Sequence, residues 1–227
     1  DPSIDLAAGD LTVECDGAGN SQDLMDWLAD NGGAEASDNC SAVNWSHSDA
    51  TLSDLCGATG AVTVTFTATD DCGNSRETTA TFTIEDTTNP SIDTAASDET
   101  VECDGAGNTD ALNAWLASHA GAAASDICGG VTWSNDFEGL SDDCGATGSA
   151  LVTFTAADDC GNESTTSATF TIEDTTAPTW NAYDTYVNAA CEDLLDPEDP
   201  TLVPISADDI CGGVTYSIDA YQLSGGC

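Results

Sequence analysis

The sequence predicts an all-β fold, a tandem series of β-sandwich domains that each carry one short inserted helix. Three observations lead there. Residues 1–88 and 89–176 align without a gap and agree at about two-thirds of positions, so one unit is written twice. Inside each unit, strict two-residue alternation of apolar and polar side chains marks half-buried strands. Cysteines recur in fixed places, with Cys15, Cys40, Cys56 and Cys72 returning as Cys103, Cys128, Cys144 and Cys160.

The 88-residue period exceeds the roughly 20–50 residues of a solenoid turn and suits a small domain with its own core. The expected domains are residues 1–87, residues 88–175, and a shortened third copy over 176–227. That third copy supplies Cys191, Cys211 and Cys227 but no fourth cysteine. Pro2 recurs as Pro90 and Pro178, and Trp45 as Trp133. The chain reads as an interior segment of a longer secreted protein.

Each element follows from local pattern. In 61–70, Val62, Val64, Phe66 and Ala68 alternate with threonines, predicting an antiparallel strand; in 78–85, Ala80, Phe82 and Ile84 repeat the pattern. Asp70-Asp71-Cys72-Gly73-Asn74 is the turn between them. Shorter strands fit 11–15 and 43–46, and several short strands separated by turns indicate a sandwich. Residues 21–29 read as a helix, with Leu24, Trp27 and Leu28 on one face and Asn20 or Ser21 as its cap. The second copy keeps Leu112, Trp115 and Leu116. In the third copy, Leu194 and Leu195 precede a proline-containing stretch, 196–204, where the helix is expected to be lost.

Charge excludes whole classes of partner. Forty-two acidic residues face one cation, Arg76, for a formal net charge of −41. Nucleic acid and anionic membrane need Lys and Arg, so neither is a partner. No stretch has the length and apolarity of a membrane span. The absence of lysine also removes Lys–Asn isopeptide cross-links. Self-repulsion of this size disfavours a compact fold unless cations neutralise it. The carboxylates read either as a solvated surface or as ligands for calcium. Regular cysteine spacing without CxxC pairs points to disulfides and an oxidising, extracellular or cell-surface setting.

The run from Ala68 to Asn74, followed by Thr81-Phe82-Thr83-Ile84-Glu85-Asp86-Thr87-Thr88-Asn89-Pro90, resembles the closing half of HYR-type (hyalin repeat) domains. Cysteine-rich versions resemble tandem repeats of giant surface adhesins of Bacteroidota, including gliding adhesins. The helix between Cys15 and Cys40 departs from that pattern. This resemblance implies an immunoglobulin-like sandwich, two disulfides per repeat, and adhesion rather than catalysis. In such a sandwich Cys40 and Cys72 share one end, and Cys15 and Cys56 share the other. It therefore implies the pairs Cys15–Cys56, Cys40–Cys72, Cys103–Cys144, Cys128–Cys160 and Cys191–Cys227, with Cys211 left over.

The same topology implies a calcium site at each domain junction. Glu85 and Asp86 would meet Asp126, Asp158 and Asp159 at the first, and Glu173 and Asp174 would meet Asp208 and Asp209 at the second. Carboxylates from two domains are the hard oxygen ligands that Ca²⁺ takes. A further candidate is the loop Asp16-Gly17-Ala18-Gly19-Asn20 and its copy at 104–108, whose aspartates also serve as ordinary turn residues. Thr87, Thr94 and Thr175 stand in short Asp-Thr-x motifs that resemble the O-glycosylation signal of Bacteroidota.

Catalysis finds no constellation. His47 and His119 align with Asn135 and Asn31, so neither belongs to the repeated design. No histidine, lysine or activated thiol sits beside a partner, and neighbouring carboxylates on one turn do not flank a substrate. The expected function is that of a structural and adhesive repeat segment, not an enzyme. It would be stapled by disulfides, stiffened by calcium, and partnered by neighbouring repeats, surface polysaccharide or other copies in a filament. The alternative is a carbohydrate-binding accessory module of a large secreted enzyme, with Trp27 or Trp45 as the stacking platform.

Overall fold

Alternating threonine-rich strands should pair into a sheet with one dry face, and they do. The computed structural model describes residues 1–180 and 207–215. The expected Cys191–Cys227 bridge and the 196–204 stretch lie outside the described residues. Two compact units separate within the chain. One comprises Asp1–Ala96, Gly121–Asn135 and Thr153–Thr166; the other comprises Ser97–Ala120, Asp136–Val152 and the described residues from Ser167 onward. Each unit thus draws on more than one sequence repeat.

The first repeat lays down β1 (Ser3–Leu6), β2 (Leu11–Glu14), α1 (Ser21–Ala29), β3 (Glu35–Ser37), β4 (Val43–His47), β5 (Gly60–Asp70) and β6 (Ser75–Glu85). Its main sheet has the order β2-β6-β5-β4. The β5–β6 hairpin is antiparallel, from Gly60↔Ile84 to Thr69↔Ser75, while β2 runs parallel to β6 with Glu14 beside Glu85. β1 and β3 form a separate two-stranded antiparallel sheet. This is the sandwich that the alternation predicts, with α1 as its one α-helix, followed by a 3-10 turn at Asn31–Gly33.

Burial follows the two-residue period. Val64, Phe66, Ala68 and Phe82 are wholly buried, and Ile84 nearly so. Each large side chain contributes about 1.5–3 kcal/mol on leaving water. Outward threonines pair across the strands, with the Thr63 and Thr81 hydroxyls 3.1 Å apart. From α1, Trp27 joins this core, its ring 5.2 Å from Phe66 and 5.6 Å from Phe82, and its Nε1 donates to the Gly9 carbonyl at 3.2 Å. The helix has the expected span, but Asn20 caps it differently than expected. Its side chain makes no cap bond and instead donates to the Glu14 carbonyl and Asp23, while its backbone is left-handed.

The second repeat repeats the elements as β7 (Ser91–Thr94), β8 (Glu99–Glu102), α2 (Thr109–Ala117), β9 (Ala123–Ser125), β10 (Val131–Asn135), β11 (Gly148–Asp158) and β12 (Glu163–Glu173). Its sheet order is β8-β12-β11-β10. In the second unit, Trp115 packs 5.4 Å from Phe170. The third copy contributes β13 (Thr179–Trp180) paired with β14 (Ala207–Asp208), in the manner of β1 with β3 and β7 with β9.

Candidate functional site

Topology places Cys15 after β2 and Cys56 shortly before β5, at the end of the sheet where β6 finishes. Cys40 and Cys72 lie at the other end, where Val43 pairs with Asp70. That placement agrees with the sequence reading; the bonds do not. Cys15 is bonded to Cys128 and Cys56 to Cys160, both within the first unit, and Cys103 is bonded to Cys211 within the second. The pairs Cys15–Cys56, Cys40–Cys72, Cys103–Cys144 and Cys128–Cys160 are therefore overturned, and Cys211 has a partner. Cys40, Cys72 and Cys144 remain as exposed thiols.

The physical reason lies in how complementary ends meet. Each of the two complete repeats carries both ends, so a cysteine pair on one end finds its match on the next copy. The Ala58 amide donates to the Cys128 carbonyl at 2.7 Å, and the Ala146 amide donates to the Cys211 carbonyl at 2.7 Å. The first of these main-chain bonds seats the Cys128 loop on the Cys15/Cys56 end, and the second seats the Cys211 loop on the Cys103/Cys144 end. Glycines make the approach close enough. Gly57 has φ +55°, and a Cβ there would strike the Cys128 carbonyl; Gly145 has the same relation to Cys211. Gly17, at φ +73°, abuts the Ile127 carbonyl in the same way.

Aspartates hold the receiving loops. Asp126 Oδ1 accepts the Cys128 amide at 2.7 Å, and Asp209 Oδ1 accepts that of Cys211 at 2.8 Å. Asp158 accepts the amides of Cys160 and Asn162 and the Asn162 side chain. Burial pushes the Asp158 carboxyl up, but these Asn162 and Cys160 donors outweigh it and hold the group below the usual range. The Asn162 side chain also donates to the Asp86 carbonyl at 3.1 Å, tying the turn to the linker.

Of the expected junction ligands, Asp86 and Asp126 come together. Asp86 is 9% exposed; its Oδ1 accepts the Thr88 amide, while its Oδ2 is buried without a hydrogen-bond partner. Atoms of Asp86, Asp126 and Cys128 lie within 4.8 Å of one another. Cys128 is disulfide-bonded, so its sulfur is not a thiolate ligand. Burial pushes the Asp86 carboxyl up against the Thr88 amide, and the charges of Asp126, Asp158 and Glu14 push it the same way.

The other expected ligands are placed differently. Asp159 Oδ2 accepts the Gly130 amide, tying the β11–β12 turn to the loop ahead of β10. Glu85 is exposed at the end of β6. In the second unit, Asp174 and Asp209 line one hollow with Cys144 and Cys211, whereas Glu173 ends β12 and Asp208 lies in β14. Asp16 Oδ1 accepts the amides of Ala18 and Asn20, the work of a turn residue.

Glu14 and Glu102 each hold a pair of linker threonines, a contact the sequence reading missed. Glu14 accepts the Thr87 amide and the hydroxyls of Thr87 and Thr88, at 2.8–2.9 Å. The Thr87 amide first, then the two hydroxyls, hold its carboxyl below the usual range. Glu102 repeats this on Thr175 and Thr176. The expected glycosylation positions Thr87 and Thr175 therefore have hydroxyls engaged by carboxylates, while Thr94 is exposed at the end of β7. The recurrence of Glu14 as Glu102 is visible in the sequence, but about two-thirds of positions recur in the same way, so recurrence alone did not single this glutamate out.

No protein-family model matches the chain, and no curated protein matches it. Among solved structures it is similar to Drosophila N-cadherin EC1-4, with 10% identity and a TM-score of 0.31, covering 76% of this chain and 49% of that one. Mouse cadherin-23 EC22-24 gives 12% identity and a TM-score of 0.28, covering 83% of this chain and 73% of that one. A chimeric titin Z1Z2 tandem gives 12% identity and a TM-score of 0.24, covering 76% and 100%. The chain spans about half the length of the N-cadherin structure.

Proposed function

We propose that this chain is a structural and adhesive segment of a long extracellular or surface-anchored protein. Its repeats, bounded near residues 87 and 175, would be locked end to end into a stalk. The observation that carries this reading is the pair Cys15–Cys128 and Cys56–Cys160, which joins one repeat to the next at two points. Such bridges give a load-bearing array cross-links that limit how far neighbouring repeats can be pulled apart. The HYR-like run from Thr81 to Pro90 supports the same reading. Neighbouring repeats are the first partners; other copies in a filament or a surface polysaccharide are the outer ones.

Calcium fits the first junction. Asp86 Oδ2 and the second oxygen of Asp126 would hold the ion, with main-chain oxygens and water completing its shell. Bound there, the cation would neutralise carboxylates that otherwise repel. The carbohydrate-binding alternative has less support, because Trp27 is in the core and Trp45 packs partly buried against it. The test is calorimetric melting of the oxidised full chain with calcium and with chelator, alongside X-ray scattering. A higher melting temperature and a longer particle in calcium are expected. Equal melting and equal length would remove calcium from the proposal, leaving the bridges alone.

A further inference from the structure

We infer that Cys40 and Cys72 form a two-thiol acceptor end that takes the Cys15/Cys56-type end of a further copy of this repeat, in two disulfides. The inference deepens the stalk reading and rests on its repeat-to-repeat bridges.

The internal repeat shows what such an end binds. Cys128 and Cys160 are the counterparts of Cys40 and Cys72, and both are bonded to the cysteines of the preceding copy. The unbonded loops already hold the bonded shape. Asp38 Oδ1 accepts the Cys40 amide at 2.8 Å, as Asp126 does for Cys128 at 2.7 Å. Asp70 accepts the amides of Cys72 and Asn74 and the Asn74 side chain at 2.8–2.9 Å; Asp158 does the same for Cys160 and Asn162 at 2.8–2.9 Å. Both thiols are exposed, whereas Cys128 is buried under its partner repeat. On the donor side, Gly17 and Gly57 meet main-chain carbonyls of the receiving loop, and Gly17 also meets the Ile127 side chain, where the first repeat has Asn39.

Each bond forms by thiol–disulfide exchange with a small-molecule disulfide, such as oxidised glutathione. One cysteine thiolate attacks the oxidant and releases one glutathione thiol; its partner thiolate then attacks the mixed disulfide and releases the second. Per bond, two cysteine thiols are oxidised and one glutathione disulfide is reduced to two thiols.

The experiment fuses a copy of residues 1–88 directly ahead of Asp1 in the full chain, recreating the Thr88–Pro90 junction with Asp1 at the Asn89 position. In the added copy, Cys40→Ser and Cys72→Ser remove competing thiols, and Ala18→Ser and Leu55→Val give its cysteine peptides distinct masses. After oxidation in glutathione buffer, disulfides are mapped in a peptic digest and free thiols are labelled with iodoacetamide. Expected are bonds from the added Cys15 to Cys40 and from the added Cys56 to Cys72, with labelling of Cys40 and Cys72 falling from near-complete in the unextended chain to background. A Cys40–Cys72 bond, or unchanged labelling while Cys15–Cys128 and Cys56–Cys160 are present, would overturn this inference and leave the stalk reading standing. Absence of Cys15–Cys128 and Cys56–Cys160 would overturn both.

Discussion

Asn162 donates its side-chain amide to the carbonyl of Asp86, 76 residues upstream, and to its own turn at Asp158. Asn74, its counterpart in the first repeat, makes the turn bond to Asp70. Replacing each asparagine by alanine therefore separates a local bond from one that also reaches the linker. Asn162→Ala is expected to cost about 0.5–1.5 kcal/mol more than Asn74→Ala, the net worth of one hydrogen bond. Denaturant unfolding of the two variants measures the difference.

Asp86 has two expected signs in one experiment. Burial raises its carboxyl above the ordinary value of 3.8, so its share of stability is present below that pH and is lost as pH rises through the raised value. In chelator at neutral pH, Asp86→Asn should melt above the parent chain, by about 2–4 °C per kcal/mol relieved. In calcium at about 100-fold its dissociation constant, the parent should gain about 2.7 kcal/mol and the variant nothing. Calorimetry in the two buffers reads the reversal.

Glu14 gives the opposite pH dependence. The Thr87 amide and the Thr87 and Thr88 hydroxyls lower its carboxyl from 4.5, so its contribution is present above that value and disappears as pH falls through the lowered one. Glu14→Gln should flatten this acid limb of the melting profile while leaving the core strands intact. A melting series from neutral pH downward, parent against variant, checks it.

Gly57 and Gly73 both hold positive φ, but only Gly57 faces another backbone. Alanine at Gly73 meets open space and should cost about 1–2 kcal/mol of left-handed strain. Alanine at Gly57 adds a collision with the Cys128 carbonyl, and should also slow formation of the Cys56–Cys160 bond. Thiol labelling during oxidative refolding distinguishes the two variants.

Much of this architecture was legible from period alone. The alternation in 61–70 and 78–85 corresponds to β5 and β6, and the Leu24/Trp27/Leu28 face corresponds to α1, because those segments are long enough for a pattern to declare itself. β1 and β3 were not: β3 holds a single apolar side chain, Ala36, in its three residues, and β1, as short as the β2 that was read, pairs with β3 in a sheet apart from the main one. The ends on which the cysteines sit were also legible, but their partners were not. When two repeats are nearly the same, a bond within one copy and a bond to the next have equally regular spacing, and only the meeting of Ala58 with Cys128 separates them. Asp86 and Asp126 were found together because both flank that meeting place.

The bridges at Cys15–Cys128 and Cys56–Cys160 enclose the connection between the first and second repeats, with sequence separations of 113 and 104. A protease that cuts between Thr88 and Asn89 would therefore leave both fragments joined. Had each disulfide closed within its own repeat, the same nick would have released them. Separating the halves demands hydrolysis and reduction together, a protection against peptidases that needs no extra residue at the cleavage point.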